Sequence, residues 1–215
     1  TWNESKEFNY SAINNYGVNN TRGKYLLFLN NDTEVINKNC IYEMVSHAVR
    51  SEVGAVGARL YYPDGTIQHA GVILGLGGIA GHAFCGKGHN AKGYFSRIRC
   101  TQNFTAVTAA CMMMSKALFK EIGGFDEKLK VAFNDVDLCM RIRKAGKLIV
   151  YTPYAELYHY ESKSRGIEDT DDKLARFHGE VHYFEKKWKR ELEAGDPYYN
   201  PNLTLMKNDF SLRIV

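Results

Sequence analysis

No apolar run in this 215-residue chain is long enough to cross a bilayer, and no basic-then-apolar leader opens it. A cytoplasmic location is therefore the expectation, with peripheral association at the inner face of a membrane left open. Cysteine is scarce and odd in number: Cys40, Cys85, Cys100, Cys111 and Cys139, no two of them at metal-ligand spacing. That argues against a disulfide framework and against a structural zinc site. Cys111 and Cys139 fall in apolar runs and are expected in the core. Internal repeats and low-complexity segments are absent. Acidic residues are missing from Gly65 to Lys120, a stretch that carries six lysines and arginines together with His69, His82 and His89. A long segment without acids suits an anionic ligand such as a diphosphate, although a solvated surface explains any single lysine in it. The net charge of +4 is too small to imply nucleic acid as a partner.

What is present is ordinary globular material: 45% hydrophobic and 24% charged residues, enough for one large domain or two small ones. Ala12 to Asn20 suits a helix, and Tyr25 to Leu29 a buried strand. Ile41, Met44, Val45, Ala48 and Val49 follow the spacing of one helical face. Val53 to Tyr62 reads as a strand, Pro63-Asp64-Gly65 as a turn, and Ile67 to Leu74 as the returning arm of a hairpin. Gly75 to Gly93 holds seven glycines and reads as a long mobile loop. Phe104 to Ser115 suits a central strand, and Lys116 to Ile122 a short helix stopped by Gly123-Gly124. A helix is expected from Asn134 to Ala145, and short extended pieces at Leu148 to Thr152 and Ala155 to His159, parted by Pro153. A long helix runs from about Asp171 to Leu192 with Leu174, Phe177, Val181, Phe184, Trp188 and Leu192 as its apolar stripe. Trp188 is expected in the core on that account. Strands alternating with helices indicate an α/β sandwich. The domain reading is residues 1–194 as one domain, itself partial, and 195–215 as an extended tail packed on it.

The chemistry concentrates at the ends of elements. The run Tyr25-Leu26-Leu27-Phe28-Leu29 stops at Asn30-Asn31-Asp32, so a buried strand delivers oxygen donors to a sheet edge. Hard divalent cations take such donors, and open α/β sheets bind ligands at such edges. Asn, Asp and Thr are also ordinary turn and cap residues, and a plain loop is the competing reading. A second acidic cluster, Asn134-Asp135-Val136-Asp137, opens a helix. The helix dipole and free amides stabilise carboxylates there, and a carboxylate so placed can take a proton from an attacking hydroxyl. Asp137 points to another face and reads as a structural partner of Arg141 at i+4. For Asp135 the competing reading is a simple N-cap. His159, after an extended segment, can complete the shell of a cation held by Asp32, or be a packed hydrogen-bonded residue. Ser162, Lys163, Ser164 and Arg165 suit a phosphate contact or a polar surface loop.

Together these segments resemble the family 2 glycosyltransferases with the GT-A fold. The resemblance rests on Phe8-Asn9-Tyr10-Ser11-Ala12-Ile13-Asn14-Asn15, Tyr25 through Val35, Gly123-Gly124-Phe125-Asp126-Glu127, Asn134 through Arg141, and Pro153 through His159. It implies an α/β, GT-A-like mixed sheet flanked by helices. It also implies an inverting glycosyltransferase that moves a hexosyl or rhamnosyl unit from a nucleotide-diphosphate sugar to a hydroxyl of a glycan or lipid-linked acceptor, in bacterial surface polysaccharide synthesis. In that frame Asp135 is the catalytic base, Asp32 and His159 hold a divalent cation (Mn or Mg), and Asn30, Asn31 and Arg165 contact the donor. Asn30 stands where the family has its first acidic position, which removes one charge. Asn134 stands where a Glu is more usual. Nothing before Tyr25 matches the N-terminal βαβ nucleotide-binding unit of such enzymes, so a fragment of a longer polypeptide is expected, with an exposed sheet edge able to support a homodimer. The alternative is a non-catalytic carbohydrate- or nucleotide-binding module.

Overall fold

The computed structural model describes residues 8–160 and 170–213. Its elements follow the chain in the order α1 (Tyr10–Asn19), β1 (Tyr25–Leu29), β2 (Thr33–Val35), α2 (Cys40–Ala48), β3 (Val53–Tyr61), β4 (Ile67–His69), β5 (Val72–Leu74), β6 (Ala80–His82), β7 (Gln102–Asn103), β8 (Cys111–Ser115), α3 (Lys116–Glu121), α4 (Asn134–Lys144), β9 (Leu148–His159) and α5 (Asp171–Ala194), with a 3-10 segment at Tyr94–Arg99. The main sheet runs β1-β8-β3-β9-β2, with β4 added to β3 and β7 to β9. β3 and β9 pair parallel and the other named pairs are antiparallel. It is the mixed α/β sheet of the expected fold class.

Strand alternation sorts the core into two layers. Leu26 and Phe28 of β1, Met112 and Met114 of β8, and Ile149 and Tyr151 of β9 face the layer shared with α3, α4 and α5. The residues between them, Cys111, Met113 and Val150, face the layer shared with Cys40, Met44 and Ala48 of α2. Successive side chains of a strand point to opposite faces, so a run that is apolar at every position belongs to a strand covered on both sides. Cys111 and Cys139 are buried as expected, and the five cysteines are free. Trp188 is buried too.

Several expected elements change shape. Ile67 to Leu74 is two strands in two sheets, broken at Gly71, where φ is +100° and a Cβ would stand 2.4 Å from the Phe104 ring. The glycine-rich stretch after it is folded rather than a bare loop: β6 pairs with β5, and the Ile67 amide donates to the Lys87 carbonyl. Phe104 to Ala110 does not join the strand β8, because its backbone pairs elsewhere: the Phe104 amide donates to the Ile149 carbonyl and Ala106 bridges to Val72. Conversely, Leu148 to His159 is one strand. Its register on β3 jumps between Ala58↔Thr152 and Arg59↔Glu156, so residues 153–155 bulge out where Pro153 has no N–H to pair. The tail is a series of turns closed by a Leu203–Leu212 bridge, with Phe210 stacked on Phe84 at 4.6 Å. Among the described residues no helix is long and apolar enough to cross a membrane.

Candidate active site

The site lies where β1 and β9 end and α4 begins. β2 pairs antiparallel with the end of β9, bringing Thr33 opposite His159, and the Tyr160 amide donates to the Asp32 carbonyl. This short ladder sets Asp32 Oδ1 3.2 Å from His159 Nε2. Asn30 Nδ2 lies 3.1 Å from the same ring nitrogen. His159 is buried, and Asp32 nearly so. Two electron-rich atoms 3.2 Å apart have about the spacing of neighbouring ligands on one small divalent ion, whose own bonds are ~2.1 Å. Among the described residues no group of three or more His, Cys, Asp and Glu side chains gathers as a metal site. A two-residue holdfast suits magnesium or manganese, which take one or two protein ligands and complete the shell with phosphate oxygens and water; the imidazole favours manganese.

Asp135 enters the same cleft from α4. Phe133 caps the helix in the left-handed region (φ 58°) without a side-chain bond to the helix, and Asn134 turns back to donate to the Val131 carbonyl at 2.9 Å. The carboxylate of Asp135 accepts from the Val136 amide at 2.8 Å and, across the cleft, from the Ala109 amide at 3.1 Å. Both donors are neutral backbone groups, and the remaining lone pairs are available to a substrate hydroxyl. A cleft of about 130 Å³ is lined by Asn30, His159 and Asp135 together with Tyr10, Thr108, Ala109, Ala110, Val131 and Asn134.

Of the residues singled out by sequence, Asn30, Asp135 and His159 meet in this cleft, and Asp32 adjoins it through His159. Asn31 is exposed at the turn and does not line the cleft. Arg165, with Ser162, Lys163 and Ser164, falls outside the described residues. Asp137 is fully buried and bonds Arg141 Nε at 2.8 Å, Trp188 Nε1 at 2.8 Å and Lys187 Nζ at 2.6 Å, the structural part expected of it.

Other contributors carry little signal in sequence. The backbone of Ala109 and Ala110 joins the two halves: Ala110 accepts from the Asn30 amide, and Ala109 accepts from the Tyr10 hydroxyl while donating to Asp135. Glu180, buried on α5, accepts from the amides of Lys130, Val131 and Ala132 and so fixes the cleft wall ahead of Asp135. The Asn-rich first motif clasps the Gly-Gly-Phe-Asp-Glu loop, with Asn15 bonding both the amide and the carbonyl of Phe125.

Residues 5–176 match the family described as glycosyltransferase-like family 2. The chain belongs to that family. It is 51% identical over 210 residues to "Uncharacterized protein y4gI" of Sinorhizobium fredii (strain NBRC 101917 / NGR234), a match covering 97% of this chain and 23% of the relative. It is 41% identical over 217 residues to "O-antigen biosynthesis protein RfbC" of Myxococcus xanthus, covering 99% of this chain and 16% of that protein. The chain thus spans less than a quarter of the length of either relative. Among solved structures, GalNAc-T7 with UDP, GalNAc and Mn2+ superposes with a TM-score of 0.64 at 12% identity, over 89% of this chain and 37% of that one. At that identity the likeness speaks to the fold, which is GT-A. This family 2 glycosyltransferase domain therefore sets its cleft at the edge of a GT-A sheet.

Proposed function

We propose that this glycosyltransferase domain transfers a hexosyl or rhamnosyl unit, with inversion, from a nucleotide-diphosphate sugar to a hydroxyl of a glycan or lipid-linked acceptor, within surface polysaccharide synthesis. The observation that carries the reading is the meeting, in one cleft, of an amide-held carboxylate (Asp135) with the Asn30–His159–Asp32 cluster. The O-antigen name of the Myxococcus relative supports the polysaccharide setting, and the UDP and Mn2+ in the GalNAc-T7 structure support a nucleotide donor with a divalent cation.

In this reading Asp32 and His159 hold the cation, and Asn30 orients the imidazole and meets the donor. Bound there, the cation neutralises charge on the leaving diphosphate. Asp135 accepts the proton of the acceptor hydroxyl as that oxygen attacks the anomeric carbon. The new carbon–oxygen bond forms on the face opposite the phosphate, and the old one breaks with its electron pair leaving on the nucleotide diphosphate. The proton ends on Asp135. Ala109 and Val136 amides keep that carboxylate aimed while it waits.

The test is transfer or hydrolysis of a panel of nucleotide sugars by the full-length protein with manganese or magnesium. Asp135→Asn is expected to lower turnover by ~10²–10⁴-fold, the usual worth of a positioned general base, while donor binding persists. Asp32→Ala is expected to abolish cation-dependent donor binding. If Asp135→Asn leaves turnover intact, or wild type binds sugars without ever turning them over, a non-catalytic binding module is the better description.

A further inference from the structure

β4 pairs with β3 out of step. Leu60 lies opposite His69 and Tyr61 opposite Ile67, so Gln68 is one residue too many and the strand bulges at it. Ile67 and His69 are fully buried in the core, and the bulge turns Gln68 to another use. At Leu60 and Tyr61, β3 also pairs with β9, so β4 and β9 flank it on opposite sides. Gln68 reaches across to the end of β9 and takes His159 at two points. Its Oε1 lies 2.7 Å from His159 Nδ1, and its Nε2 donates to the His159 carbonyl at 3.5 Å. Gln68 is itself 5% exposed, so water does not compete for these contacts.

We propose that Gln68 is the positioning residue that fixes the tautomer of His159 and thereby turns its Nε2 lone pair toward Asp32. A carboxamide oxygen only accepts, so the hydrogen on the ring must sit on Nδ1. Nε2 then keeps its lone pair in the neutral ring. The Asn30 contact agrees, because Nδ2 of an amide is a donor and meets Nε2 as an acceptor. The Asp32 carboxylate oxygen at 3.2 Å is a second electron-rich atom beside that lone pair, and a cation that takes the place of the Asn30 donor on it reconciles the two. Ligating histidines are commonly oriented in this way by a partner on the other ring nitrogen. The consequence for cation affinity rests on the proposed transferase function, whereas the tautomer assignment stands on the hydrogen bonds alone.

The experiment separates the two. Nitrogen-15 NMR of the cation-free full chain, with His159 assigned through His159→Gln, is expected to report Nδ1 as the hydrogen-bearing nitrogen. Gln68→Met, which keeps the length and removes the acceptor, is expected to mix or invert the tautomers. Gln68→Glu, which restores an acceptor, is expected to return the wild-type signature. Titration with Mn2+, followed by relaxation broadening at His159, is expected to give an affinity ~10–100-fold weaker in Gln68→Met, the usual effect of losing such a partner, and recovered in Gln68→Glu. Wild-type His159 bearing its hydrogen on Nε2 overturns the proposal, even if the variants fail to fold. So does Gln68→Met with an unchanged tautomer and an unchanged melting temperature. Absence of Mn2+ binding in wild type, with the expected tautomer, defeats the cation reading while supporting the role of Gln68.

Discussion

Phe133 adopts a conformation that a bulky side chain avoids, with φ at 58° immediately before the helix that presents Asp135. Such a residue costs on the order of 1–3 kcal/mol and persists only where packing over-determines it. Here the ring is held against Phe184 at 5.4 Å and Phe177 at 6.0 Å. The strain sets the direction in which α4 starts, and with it the aim of the Asp135 carboxylate. Phe133→Ala loses the ring and keeps the strain, whereas Phe133→Gly loses the ring and relieves it. Urea melts are therefore expected to find the alanine variant no more stable than the glycine variant, each about 1–3 kcal/mol below wild type; a clearly more stable alanine variant counts against strain at this position. At this scale Asp32, Asp135 and His159 were legible because an ionisable side chain at the end of an apolar run is conspicuous. Gln68 and Ala109 were not. One acts through a bulge that exists only once β3 and β4 pair, and the other through its backbone, which every residue type possesses.

Among the elements, α5 does more than cover the sheet. Its Glu180 accepts from three consecutive amides, and Arg176 closes the arrangement at 3.1 Å. Glu180→Gln weakens charge-assisted bonds to buried amides, so a loss on the order of 3 kcal/mol is expected in chemical denaturation. Turnover is expected to fall with it, since Val131 lines the cleft. Further along the same helix, Lys187 joins Asp126 at 2.7 Å, tying α5 to the Gly-Gly-Phe-Asp-Glu loop. Burial works to raise the Asp126 pKa, but hydrogen bonds from Lys187, Tyr183 and the Lys128 amide outweigh it and leave the carboxyl below its ordinary value of 3.8. A depressed carboxyl contributes stability above its unfolded value and forfeits it as pH falls through the folded one. The stability gap between wild type and Asp126→Asn is thus expected to be constant near neutrality and to narrow below pH 3.8; a gap that persists unchanged into strong acid contradicts the ion pair. Element identity was readable from periodicity for α2 and α5, from end signals for α4, and from an apolar run for β1. It misled where tertiary contacts intervene: Phe104 to Ala110 is apolar enough for a strand, yet its backbone is drawn away by Val72, Tyr10 and Asp135.

For the molecule as a whole, β1 is an end strand of the sheet among the described residues, and α2 with its C-cap leaves Ile41, Tyr42 and Val49 exposed. The opposite cover is finished by residues 195–213. Phe210 stacks on Phe84, sits 4.8 Å from Tyr199 and lies under Arg97, while Asp196 accepts from the Leu74 amide. We expect the tail to melt with the body: Phe210→Ala should cost about 3–5 kcal/mol, the range for a buried phenylalanine, and lower the single thermal transition. An unshifted transition makes the tail an independent appendage. The α/β class was legible from the alternation of strands and helices and the mixed sheet from the family resemblance, whereas strand order was not, because it depends on pairings between segments far apart in sequence.

The Asn30–His159 contact spans 129 residues, and the β2–β9 ladder that makes it lies at the last turn of the longest strand. Closing so long a loop is slow compared with forming helices or hairpins. The cluster of Asn30, Asp32 and His159 is therefore expected to come together after the local helices, so a refolding experiment that follows the His159 signal should finish no earlier than one that follows helix content.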